Sequence, residues 1–201
     1  MLVVIVNSGR KIMLIVKNNN EGVNNYIKQY ESANCVKIPD TFVSFLRKYN
    51  GGLTPKTTFV NDGISSDLRA LYGFGNVPYS FNNIDPGNFT IDGVLHTLLP
   101  IGEDSYSNKF AISLSDKGVY FIDHEMNTKK QIVKVSDSLQ QFFDACCSKE
   151  INPNSKKSPE EREKALRENG KDSVISDALR QLWSEEYLKY KDIVQEVVAI
   201  D

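Results

Sequence analysis

With 201 residues, 40% of them apolar and 25% charged, the chain has the composition of a globular protein and enough material for a substantial core in one or two domains. Its formal net charge of −2 excludes a protein that holds nucleic acid by bulk charge, so no direct nucleic-acid contact is expected. No apolar run approaches the roughly 20 residues of a membrane helix, so no membrane partner is expected either.

The N-terminus carries two short apolar runs, Leu2 to Val6 and Ile12 to Val16, split by Asn7-Ser8-Gly9-Arg10-Lys11. Neither suits the core of a signal peptide, and the pair reads as a β-hairpin or an extension over residues 1–19, with Met13 a second candidate start. Val23, Tyr26, Ile27 and Tyr30 share one face of a first helix. The stretch Ile38 to Gly52 predicts a second: Pro39 suits a first turn, Phe42, Phe45, Leu46 and Tyr49 form one buried stripe, and Asn50-Gly51-Gly52 stops it. Thr57 to Val60 predicts a short strand. Residues 61–93 are rich in Gly, Pro and Asn and read as loop, with Asp67 to Tyr72 a short strand or helical turn and Phe81 to Phe89 a loop.

Strands follow at Leu95 to Ile101, Phe110 to Leu114, Val119 to Ile122 and Gln131 to Val135, joined by short turns, which implies an antiparallel meander. Ser136-Asp137-Ser138 starts a helix whose Leu139, Phe142, Phe143 and Cys146 face the core. Beyond Cys147 the composition shifts, with 20 of the last 51 positions charged. There, Ser158-Pro159-Glu160-Glu161 starts one helix, and a longer one is expected from about Val174 to Val198. The reading is thus a main domain at 20–149 and a helical extension at 150–201. Too small for a core of its own, the extension is expected to dock on the main domain or on a partner, including a second copy, through Trp183, Tyr187 and Tyr190.

Catalytic templates fail. Gly73-Phe-Gly75 has Pro78 where a dinucleotide loop has its third glycine, and His124-Glu125 has Thr128 where a zinc protease has its second histidine. With only His96 and His124 and no C-x-x-C pair, no metal site or cofactor is expected. Cys35, Cys146 and Cys147 form no disulfide framework and are expected to be reduced thiols in the cytoplasm. What remains is charge. Residues 85–125 hold seven acids against two bases. Within them stand two polar constellations: the loop Gly102-Glu103-Asp104-Ser105-Tyr106-Ser107-Asn108, and Asp123-His124-Glu125 at a strand end, where alternation puts the two acids on one face. Glu103, Asp104, Ser105, Asn108, Asp123, His124 and Glu125 are the candidate partner-binding residues. Tyr79, Phe81, Phe89 and Tyr106 are candidates for aromatic contact area. A hydrolase built on His124 and a neighbouring carboxylate has only this cluster to rest on.

The order of these pieces resembles the SUKH superfamily, which takes in fungal glucan-synthesis and killer-toxin-resistance regulators and many bacterial immunity proteins. The matching segments are Ile38-Pro39 with Phe42, Phe45, Leu46 and Asn50-Gly51-Gly52; Leu99-Pro100-Ile101-Gly102-Glu103-Asp104; Asn108-Lys109-Phe110; Gly118 to Glu125; and Val135 to Phe143, together spanning roughly residues 20–148. The resemblance implies an α+β fold, a mostly antiparallel sheet with helices packed against it, and a non-enzymatic role. It implies an intracellular immunity protein that occludes a cognate toxin, often a nuclease, for which the local acid excess suggests a basic partner. The alternative is a regulatory scaffold in cell-wall glucan synthesis or stress signalling. The chain departs from the family in Ser107-Asn108, where members commonly have Gly-Asn, and in the helical extension.

Overall fold

The computed structural model describes residues 12–61, 63–126 and 131–200. They divide into two units, one running to Lys149 and taking back the chain from Glu196, the other Glu150–Gln195.

In the first unit, α1 (Val23–Asn34) and α2 (Asp40–Tyr49) lead into a sheet. The determinants of α2 are local. Pro39 is its N-cap, Phe42, Phe45, Leu46 and Tyr49 are buried, and Asn50 closes it in the left-handed conformation at φ 49°. Among the described residues ten strands follow one another in sequence: β1 (Leu14–Lys17), β2 (Gly52–Asn61), β3 (Ile64–Leu71), β4 (Gly87–Ile91), β5 (Val94–Glu103), β6 (Lys109–Ser113), β7 (Val119–Ile122), β8 (Ile132–Ser136), β9 (Cys146–Ser148) and β10 (Glu196–Val197). Their order across the sheet is β10-β1-β2-β3-β5-β6-β7-β8, with β4 paired to β5 and β9 to β2, all antiparallel. The expected meander is β5 to β8, so the fold is α+β.

Alternation sorts the side chains between the two sheet faces. Phe110, Ile112, Val119, Phe121 and Val135 join α1, α2 and α3 (Leu139–Ala145) in the main core. Phe59, Phe110 and Phe142 meet there with ring centroids 5.0–5.4 Å apart. Leu98, Ala111 and Tyr120 point the other way and pack with Phe89, Ile91, Ile122 and Ile132 in a smaller cluster.

Several expectations are corrected. Residues 87–91, read as loop, form β4, because Phe89 and Ile91 gain the smaller cluster and β5 supplies the partner strand. The strand at Thr57 to Val60 extends over Gly52–Asn61, and residues 64–71 are wholly strand. The C-terminal helix stops at Tyr190, and Glu196–Val197 pairs with Leu14 and Ile15 of β1, so the extension is not helical to its end. Cys146 is buried as expected but opens β9, since α3 ends at Ala145. The Leu2 to Val6 half of the expected hairpin lies outside the described residues; the Ile12 to Val16 run supplies β1, whose described partners are β2 and β10.

The unit Glu150–Gln195 contains α4 (Pro159–Glu168) and α5 (Asp177–Tyr190). Ser158 and Glu161 form a reciprocal capping box with Pro159 in the first turn. The Arg162 guanidinium lies 5.9 Å from the Trp183 ring centre and pairs with Glu186 at 2.8 Å. No described helix is long and apolar enough to cross a membrane.

Candidate partner-binding site

The loop between β5 and β6 is built around Asp104, which is 1% exposed. One carboxylate oxygen accepts the backbone N–H groups of Tyr106 and Asn108, each at 2.9 Å. The other accepts the Ser66 hydroxyl at 2.7 Å and the Asn108 side-chain amide at 2.8 Å. Four donors converge on this one buried acid, so both of its oxygens find hydrogen-bond partners away from water. The backbone closes the same loop, Asp104 N–H donating to Asn108 C=O at 3.1 Å. Ser107 sits at φ 69°, in the left-handed region.

Asn108 then joins the second constellation to the first. Its side-chain oxygen accepts the His124 backbone N–H at 3.2 Å and lies 2.9 Å from His124 Nδ1, the geometry of a second donation. The two segments singled out in the sequence, 16 residues apart at this contact, therefore form one surface. β7 ends at Ile122, so the alternation expected for residues 123–125 is corrected: Glu125 N–H folds back on the Asp123 carboxylate at 2.9 Å in a turn. His124 and Glu125 are exposed and Asp123 is half-buried.

The other candidates are placed as follows. Glu103 is spent within the fold: it accepts the Tyr72 hydroxyl at 2.6 Å and pairs with Lys109, whose ammonium also donates to Tyr72 at 2.7 Å. Ser105 is exposed, with its N–H and hydroxyl both on the Asp67 carboxylate. Tyr106 stands 75% exposed beside them, while Phe81 is buried and Phe89 and Tyr79 are half-buried. Trp183 is buried, and Tyr187 and Tyr190 are half-buried with Lys191 and Lys189 over their rings. Asp116 is compensated too, by Lys134 at 3.3 Å and the Tyr120 hydroxyl at 2.9 Å. The acid excess of residues 85–125 is thus smaller at the surface than in the sequence. Sequence reasoning missed Ser66, Asp67 and Tyr72, which hold the loop from 31 to 38 residues away and carry no local signal. Among the described residues no cluster of His, Cys, Asp or Glu suits a metal ion.

Glu103 gives the site a pH signature. Burial pushes its carboxyl up, but hydrogen bonds from Lys109 and Tyr72 and the charges of Lys109 and Arg69 outweigh that, so it titrates below an ordinary glutamate. A carboxyl held down in the fold stabilises it fully above the unfolded value of about 4.3, and that contribution disappears as pH falls toward the lower folded value. The gap in urea midpoint between the parent chain and Glu103→Gln is expected to be full at neutral pH and to close below about pH 4. A gap of constant size across that range would show that the charge of Glu103 is not what matters.

A mixed-order antiparallel sheet with three helices on one face and a polar cluster at its loop and strand ends defines an α+β protein. The model of the SMI1 / KNR4 family (SUKH-1) matches residues 24–145, which takes in α1 through α3, and the chain belongs to that family. No curated protein and no solved structure gives a match. Ser107, where the resemblance implied glycine, takes the left-handed backbone that glycine adopts without strain.

Proposed function

We propose that this chain is a non-enzymatic binding module, an immunity protein that neutralises a cognate toxin in the cytoplasm by covering it. The observation that carries this reading is the union of the Asp104 loop with the 123–125 strand end through Asn108 and His124. Hydrogen bonds to the buried Asp104 hold the frame, while Ser105, Tyr106, His124 and Glu125 face outward on it. A rigid frame that presents a large aromatic ring, a histidine and carboxylates suits recognition of a basic protein surface, because little order is lost on binding and opposite charge speeds encounter. Cys35, Cys146 and Cys147 form no disulfide with one another, which suits a reducing compartment.

Co-expression with toxin-like genes from the neighbourhood tests this directly. The parent chain is expected to restore growth and to co-purify with one such product. Reversing charge at Asp123 and Glu125 together is expected to slow association about tenfold at low salt. Failure of every neighbouring gene to yield either protection or a co-purifying product would overturn the reading.

A further inference from the structure

A second surface of opposite sign adjoins this site at Ser105 and leads away from Asp123 and Glu125. Between β2, β3 and β9 runs an open groove of about 660 Å³, whose lining includes Lys56, Asp67, Leu68, Arg69, Ser105 and Lys149. Three of these are basic and one is acidic, and the acid, Asp67, already binds the N–H and hydroxyl of Ser105. Pro55, Leu68 and the threonine methyls give the groove apolar walls between its cations.

The backbone of Lys56 marks the groove independently. Lys56 stands at φ 56°, in the left-handed region. The other described non-glycine residues there close a helix (Cys35, Asn50) or sit in a turn or loop (Asp92, Ser107, Lys117). Lys56 alone lies within a strand, where the β2–β3 register slips between Leu53 and Thr57. The irregularity is held in place. Thr54 donates its hydroxyl to Leu68 C=O, and Lys149 N–H donates to Lys56 C=O at 3.2 Å. A bulge re-aims a side chain, and a strained residue fixed by its surroundings is a pointer to function. Glycine would take this conformation without strain, yet lysine occupies it.

We propose that this groove seats an extended acidic segment of a partner protein, with Lys56 and Arg69 facing its carboxylates. A nucleic acid fits less well: single strands are gripped by aromatic platforms and a long basic track, and this lining has no aromatic ring and one carboxylate among three cations. The surface is distinct from the Asp123 and Glu125 site and stands or falls separately from it.

Fluorescence polarisation on the full chain tests the proposal with three probes: a labelled glutamate-rich peptide, its glutamine counterpart, and a single-stranded oligonucleotide of equal charge. The glutamate peptide is expected to bind saturably at low salt and to outbind both others. Lys56→Gly is expected to weaken it about fivefold, a loss typical of one charged contact, while melting at the same or a higher temperature because the backbone strain is gone. Lys117→Gly removes a left-handed lysine from a turn outside the groove and is expected to leave binding unchanged. No saturable binding of the glutamate peptide, equal binding of the glutamine peptide, tighter binding of the oligonucleotide, or unchanged affinity in Lys56→Gly would each overturn it.

Discussion

Alanine at Asn50 is expected to lower the unfolding free energy by about 3–5 kcal/mol, combining lost buried hydrogen bonds with a left-handed backbone that alanine resists. Asn50 is 2% exposed. Its amide donates to Asn19 C=O at 2.6 Å and Phe74 C=O at 3.0 Å, and its side-chain oxygen accepts Phe74 N–H at 2.8 Å. Those three bonds tie the end of α2 to the segment before α1 and to the turn after β3. The packing around them leaves no slack, since a Cβ on Gly73 would lie 2.0 Å from Asn50 C=O. Truncation therefore leaves buried peptide groups of Phe74 without partners, and no side chain can move in to replace the lost ones. Asn50→Gly separates the two contributions: it loses the same bonds but keeps the backbone, so its unfolding free energy is expected to fall by about 1 kcal/mol less than that of Asn50→Ala, with a correspondingly higher midpoint in urea. Equal midpoints for the two variants would show that conformation contributes nothing here.

The Asn50 helix was legible in the sequence because everything that makes it is within fifteen residues of chain. The capping box at Ser158 is equally local, and β5, β6 and β7 follow one another through short turns. β4 was not legible. Pro86, Gly87 and Asn88 signal a loop locally, and the strand exists only because β5 pairs with it while Phe89 and Ile91 find apolar neighbours on the outer sheet face. At the C-terminus the valines at 194, 197 and 198 fit a helical stripe, but β-branched residues also suit a strand, and the edge of β1 decided between them. The candidate site divides the same way. Its residue types and two segments were visible, and so was the family. Their union through Asn108 was not, nor the burial of Asp104 or the pairing of Glu103 with Lys109 and Tyr72. A carboxylate reads as surface until its donors are known, and Ser66 donates from 38 residues away.

That burial turns Asp104 from a contact into a support, and the distinction has a measurable consequence. Asp104→Ala is expected to cost about 2–4 kcal/mol of stability, because the N–H groups of Tyr106 and Asn108 lose their acceptor. Capture of the proposed partner is expected to fall further than the loss of folded protein explains, since Asn108 no longer holds His124 in place. Asp104→Asn retains an oxygen for the two backbone donors but turns an N–H group toward the Asn108 amide, so it is expected to fall between. Ser66→Ala removes a single donor and is expected to leave capture near that of the parent chain. Salt then distinguishes shape from charge. Reversals at Asp123 and Glu125 weaken association through long-range attraction, so their defect is expected to shrink as ionic strength rises. The Asp104→Ala defect comes from a displaced loop and is expected to keep the same ratio to the parent chain at every salt concentration. If it shrank with salt as the surface reversals do, Asp104 would be acting through its charge, and the frame described around it would not be what the partner reads.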